Sequence, residues 1–284
     1  SICVNGLRIG YDAATPTARN GLASSSAALA VGDVVAVEAR ASEGSGALRA
    51  VRIDVLQLVR GPVERVDAST GELRVLGQHV VVPEEWRADL LVPLAPGDPV
   101  AVSGERRSDG AIVAARVERW SGDGPASLVG VLDAANAAAV RVAGTLVRSE
   151  VPVDPGWQGE LVVATGRWNA RSRALESADV SLAIALDPGR LEEVVLGGYV
   201  ESIDGDWLRV GGLRVEAAAA NVGAARGALA LDDYVVVRGV VTPAGRLRAL
   251  RIALDAKPPR VMLPRPPRLQ RIQAAVRPGR PTPT

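Results

Sequence analysis

Four stretches of this chain place a carboxylate in one local setting. Asp33 follows Leu29-Ala-Val-Gly, Asp98 follows Leu94-Ala-Pro-Gly, Glu160 follows Gln158-Gly, and Asp232-Asp233 follow Leu229-Ala-Leu. Each stands before a short apolar run. A carboxylate in such a turn can hold calcium together with turn carbonyls, or it can accept the turn's own N–H groups. One or two acids per turn are too few for calcium, so a turn cap is the expectation. Asp204-Gly-Asp206 opens like a calcium loop but lacks the further ligands. Cys3 is the single cysteine and His79 the single histidine, which excludes an intrachain disulfide and a Cys/His zinc site. Ser24–Ser26 reads as a flexible loop with no His/Asp partner for a nucleophile. No glycine loop of the phosphate-binding kind opens a helix. The chain is therefore read as non-enzymatic, with no catalytic, cofactor-binding or metal residues.

The elements that carry these acids repeat. Gly61-Pro-Val63, Gly130-Val-Leu132 and Gly198-Tyr-Val200 open three copies, with Asp67, Asp133 and Asp204 following. An alternating strand closes on glycine at Leu73–Gly77, Val140–Gly144 and Leu208–Gly212. A short strand follows at Val80–Val82, Leu146–Val147 and Leu213–Val215. Then come the acidic turn and its strand, and a last strand at Leu48–Ile53, Ile112–Val117, Leu175–Val180 and Leu247–Ile252. Leu and Val alternating with Arg mean one buried face and one wet face. Short antiparallel strands of this kind enclose a core by curling. The predicted fold is all-β: four tandem small barrels, OB-like or SH3-like, at residues 1–55, 61–119, 128–186 and 192–255, with linkers near Leu56–Arg60, Trp120–Ser127 and Asp187–Leu191. A Pro/Arg-rich extension occupies 256–284.

In this frame Cys3 falls beside Arg74, Arg141 and Arg209 on an outward strand face. It is either a thiol that cross-links neighbours or, as expected here, a small residue covered by the tail or an adjacent barrel. His79 aligns with Arg8, Leu146 and Arg214 and is expected to face solvent. Trp86, Trp120, Trp157, Trp168 and Trp207 share no repeat position. This argues against a stacking platform and for plugs between barrels or in loops.

The pattern G-x-V, V-x-G, G-D-x-V-x-V-x-G and G-x-L-x-A-x-x-I resembles an exported bacterial repeat domain known only as a domain of unknown function. The opening Val4-Asn5-Gly6-Leu7-Arg8-Ile9 and Gly32-Asp33 resemble its first copy. The likeness runs over roughly residues 1–255 as four copies, the third being the least faithful. It implies a secreted or periplasmic small β-barrel and carries no activity with it.

Formal net charge is +1 over 284 residues. Residues 257–284 hold seven Lys/Arg and no acid, so the body is acidic and the tail basic. No apolar run reaches membrane-spanning length. Nucleic acid is an unsuited partner, because the basic tail has no aromatic residue and the body repels phosphate. The one methionine is Met262, so an N-terminal segment is expected to have been processed or trimmed.

Copies two to four begin 14 to 16 residues before Gly77, Gly144 and Gly212, whereas only five residues precede Gly6. The first barrel therefore lacks its first strand, while the tail is a spare segment. Strand donation between subunits follows as the leading expectation. The donor residues are Val261, Leu263, Leu269, Ile272, Ala274 and Val276. The acceptor residues are Ile2, Val4, Leu7 and Ile9. Residues 268–276 fit either a strand or a helix face. The product would be an extracellular filament, a homopolymer of this chain. The other readings are a trimmed strand with a flexible tail, and a monomeric exported module that binds surface glycans.

Overall fold

The computed structural model describes residues 1–42, 44–87, 94–136, 139–218, 220 and 229–254. The donor residues Val261, Leu263, Leu269, Ile272, Ala274 and Val276 lie outside them. The described elements are strands and single turns of 3-10 helix. The all-β expectation holds.

The second unit contains β7 (Val59–Asp67), β8 (Glu72–Val75), β9 (Gln78–Val81), β10 (Pro99–Arg106) and β11 (Ile112–Arg119). Strand β7 pairs with β8, β8 with β9, β9 with β11 in parallel, β11 with β10, and β10 again with β7. The third unit, β12 (Ala126–Asn136), β13 (Ala139–Val142), β14 (Thr145–Ser149), β15 (Leu161–Asn169) and β16 (Ala174–Leu182), repeats that order. So does the fourth, β17 (Val194–Asp204), β18 (Trp207–Val210), β19 (Leu213–Glu216), β20 (Tyr234–Val241) and β21 (Leu247–Leu254), which is a closed barrel. Inward residues such as Leu73, Val75, Val80, Val100, Val102 and Ile112 are essentially inaccessible, as the period-2 pattern requires.

The glycines have two mechanical reasons. The first hairpin of each unit turns on two residues with positive φ at both positions. These are Asn5-Gly6, Leu76-Gly77, Ala143-Gly144 and Gly211-Gly212. That geometry matches the twist of the strands. Leu76 adopts φ 49° despite its side chain, and its burial in the core offsets the strain. A Cβ on Gly61 would come within 2.5 Å of the Leu76 side chain, and one on Gly130 within 2.6 Å of Ala143. The opening glycine of each unit is thus the floor on which the turn rests. The closing glycine sits at a bulge: a Cβ on Gly104 or Gly239 would meet a carbonyl oxygen across the sheet at 2.2 or 2.3 Å.

The first unit differs. Its strands are β1 (Ile2–Val4), β2 (Leu7–Gly10), β3 (Thr17–Arg19), β4 (Leu22–Ser24), β5 (Val35–Ala41) and β6 (Leu48–Val55). Strand β1 pairs with β2, β2 with β6, and β5 with β6; β3 adds to β6 in parallel and carries β4. Among the described residues no strand joins β1 to β5 in the way β7, β12 and β17 join their neighbours.

Two segments expected to be linkers are built into the structure. Leu56, Gln57 and Leu58 are buried, and Val59 and Arg60 already belong to β7. Ala126 and Ser127 belong to β12. Ser127 pairs with Arg60 and Leu128 with Val59, so units two and three share one ten-stranded sheet and one core cluster. Asn20, 2 % exposed, fastens the first unit there. Its amide donates to the Gln57 carbonyl and to Ser127 Oγ, both at 2.8 Å, and its oxygen accepts the Gln57 N–H at 2.8 Å.

Candidate functional site

The acceptor residues occupy the edge of the first unit. Ile2 and Val4 lie on β1, Leu7 and Ile9 on β2. Ile9 is 4 % exposed, but Ile2, Val4 and Leu7 are only partly buried. Their counterparts to Ile2 and Val4 in the other units are Leu73 and Val75, Val140 and Val142, and Leu208 and Val210, all buried. The same contrast appears across the open side. Val35 and Val37 on β5 are partly exposed, whereas Val100, Val102, Val235 and Val237 are inaccessible. In the complete units the covering strand is the one that pairs with both neighbours. Among the described residues, the first unit therefore leaves β1 and β5 paired on one side only, with a flank of apolar side chains between them, and its Asn5 amide donates to the Val195 carbonyl of β17 at 3.4 Å.

The covering strand carries an acid whose role differs from that of the neighbouring turn acids. Each covering strand has a bulge just after its inward Val63, Leu132 or Val200. The bulged residue is Glu64, Asp133 or Glu201. Its carboxylate accepts the N–H of the hairpin glycine: Gly77 at 2.5 Å, Gly144 at 2.6 Å, Gly212 at 2.5 Å. In the sequence repeat Asp133 falls beside Asp67 and Asp204. The usable signal was an acid directly after the last inward apolar residue. Asp67 instead caps its own turn, accepting from Ser69 and Thr70, which holds its carboxyl below the ordinary range.

Three of the four repeated acidic turns are capped by their own acid; no such cap is formed by Glu160 among the described residues, and Asp232 accepts the Ser108 N–H of the second unit at 2.7 Å. Asp33, Asp98 and Asp233 each accept the N–H of the residue three positions earlier, Ala30 at 3.0 Å, Ala95 at 2.9 Å and Ala230 at 2.8 Å. Asp232, like Gly32 and Gly97, has positive φ. Asp33 also meets Arg19 of its own unit at 3.4 Å and Arg116 of β11 at 3.8 Å, and Arg19 reaches Glu118 of β11 at 3.5 Å, so the first unit is tied to β11. Among the described residues no group of three or more His, Cys, Asp or Glu is arranged to hold a metal.

The remaining single residues fall as follows. Cys3 is exposed and paired across the hairpin with Arg8, so it is not covered by any described residue. His79 is half-exposed and 3.7 Å from Glu72. Ser24–Ser26 is not a loose loop: Ser24 ends β4, Ser25 Oγ caps a 3-10 turn, and buried Ser26 donates to the Asp12 carbonyl at 2.9 Å. Trp207 lies under Arg214 at 4.2 Å. Trp120 and Trp168, from different units, line one open groove.

All four units meet around a small cavity of about 40 Å³ lined by residues that include Val34, Glu105, Val129 and Glu201. Burial pushes the Glu105 carboxyl up to about 8, and the Glu201 charge adds to the shift. Glu201 is itself raised by burial, against the pull of the Gly212 N–H and of Arg106 and Arg209. Tyr199, edge-on to Tyr234 with ring centres 5.3 Å apart, is raised by burial and then by Glu105.

Fold and site together define an all-β repeat protein whose first unit, among the described residues, has no counterpart of the covering strand of the other units. Residues 1–54, 60–118 and 197–253 match the family described as Domain of unknown function (DUF5666), and the chain belongs to that family. Unit three falls between the matched segments although its strand order is the same. No curated protein matches the chain.

Proposed function

We propose that this protein is a non-enzymatic structural subunit of an extracellular or periplasmic filament. Its units are four small barrels in tandem, and the first accepts a strand from the C-terminal extension of a neighbouring copy. The observation that supports this reading is the half-open set Ile2, Val4, Val35 and Val37, whose counterparts are enclosed by a covering strand. Covering those side chains contributes on the order of 1 kcal/mol each, and the β1 and β5 edges supply backbone pairing. In the donor, Gln273 follows Ile272 as Glu64 follows Val63, so its amide oxygen suits the Gly6 N–H. Gln270 then stands where the complete units have Gly61, Gly130 and Gly198. The contact is head-to-tail and does not close on itself, so copies add without limit. A basic tail and an acidic body attract at long range, less so in salt.

Electron microscopy of the full chain and of a chain lacking residues 257–284 tests the reading. Filaments are expected from the first and monomers from the second. Filaments from the truncated chain, or none from the full chain, overturn it. Saturable binding of surface glycans by a monomeric full chain would establish the alternative, an exported binding module.

A further inference from the structure

Two tryptophans at unrelated repeat positions meet in one place. Trp120 follows β11 and Trp168 lies near the end of β15; with Pro62, Pro99, Pro125 and Arg167 they line an open groove of about 610 Å³. Trp120 is held rigidly. Its Nε1 donates to the Asp123 carbonyl at 2.9 Å, and the Arg60 guanidinium lies 4.9 Å from the ring centre. The Trp168 Nε1 donates to no atom among the described residues. Asp123 stands exposed at the rim, between the lining residues Gly122 and Gly124. Its carboxylate makes no ion pair or hydrogen bond among the described residues. The groove thus offers two indole rings, one free N–H donor, one free carboxylate and the Arg167 cation.

We propose that this groove is the docking site for the chain's own proline-rich segment, residues 257–268. That segment reads Lys-Pro-Pro-Arg-Val-Met-Leu-Pro-Arg-Pro-Pro-Arg and begins three residues beyond the end of β21 at Leu254. Its prolines favour the polyproline II helix, which has three residues per turn and leaves every carbonyl free. Proline rings of such a helix pack between aromatic side chains, and an indole N–H takes one of the free carbonyls. Arg265 or Arg268 then meets Asp123. The segment has no acid to compete with Asp123 for that pairing, and Arg167 is the lining charge of the segment's own sign, which the Asp123 pairing has to outweigh. The pre-formed helix gives up little conformational freedom on docking. Of the donor residues, Val261 and Leu263 fall in this segment, whereas Leu269, Ile272, Ala274 and Val276 lie beyond it.

The test uses the full chain carrying 5-fluorotryptophan, whose five tryptophans give five fluorine signals. Single Trp→Phe variants assign them. In a variant with Pro258, Pro259, Pro264, Pro266 and Pro267 all changed to Ala, the Trp120 and Trp168 signals are expected to move and the other three to stay. A synthetic peptide of residues 257–268 added to that variant restores both signals. Unmoved Trp120 and Trp168 signals, or movement of all five, overturn the proposal. Cellohexaose shifting the same two signals when the proline variant does not makes the groove a glycan site, and the proposal falls. A chain lacking residues 269–284 separates the two ideas: it keeps the groove signals here even if filaments persist or vanish there.

Discussion

Glu105→Gln keeps the shape of a side chain at the meeting point of the four units and removes its ability to ionise. The folded chain holds the Glu105 carboxyl at about 8, against an ordinary value of 4.5. Below pH 4.5 both folded and unfolded chains carry the proton, so burial costs nothing in charge. Between pH 4.5 and 8 the unfolded chain releases the proton and the folded chain keeps it, so stability falls as pH rises. Above pH 8 the loss is complete. At ~1.4 kcal/mol per unit the full displacement is worth ~5 kcal/mol. Part of the Glu105 side chain remains open to water, and allowing for that screening leaves ~2 kcal/mol. Urea unfolding of both chains at pH 4, 6 and 9 measures it. The Gln variant should match the parent at pH 4 and exceed it by ~2 kcal/mol at pH 9, with the gap opening in between. Glu201 shifts in the same direction and steepens the parent's decline. A difference between the chains that stays constant with pH refutes the reasoning.

Gly239→Ala forces a Cβ to within 2.3 Å of the Arg248 carbonyl oxygen, so the fourth unit should lose about 2–3 kcal/mol, read as a drop in its melting temperature. Asn20→Ala removes three buried hydrogen bonds and leaves the Gln57 backbone without its partners, a cost of ~3 kcal/mol. Amide exchange should then quicken in residues 1–56 and hardly change in the fourth unit. Deleting residues 257–284 should abolish filaments by electron microscopy.

Local chemistry was readable because it repeats. The pairs ending in Gly6, Gly77, Gly144 and Gly212 announce a tight hairpin, and alternating Leu/Val against Arg announces which face is buried. The acid turns were read as caps, and Asp33, Asp98 and Asp233 cap. What failed to show was anything set by distant segments. Arg60 and Ser127 look like linker residues, yet they form the seam between two units. Asp133 looked like a turn acid because an Asp stands nearby in each copy; only the bulge shows that it serves the glycine of the next hairpin. Trp120 and Trp168 share no position in the repeat, so no periodicity could have brought them together. Glu105 and Glu201 meet because two units pack, and nothing in either local sequence marks a carboxyl for burial.

The shared sheet of units two and three has a calorimetric consequence. One apolar cluster runs through both, from Leu58 to Ala178, and reaches into the fourth unit only at Leu213 and the flanking Leu196, while a second, from Val200 to Ile252, fills the closed barrel. Heating should not melt this chain in a single step, nor in one step per copy. The fused pair should go as one block and the last barrel as another, so a thermogram would count fewer transitions than the sequence has repeats.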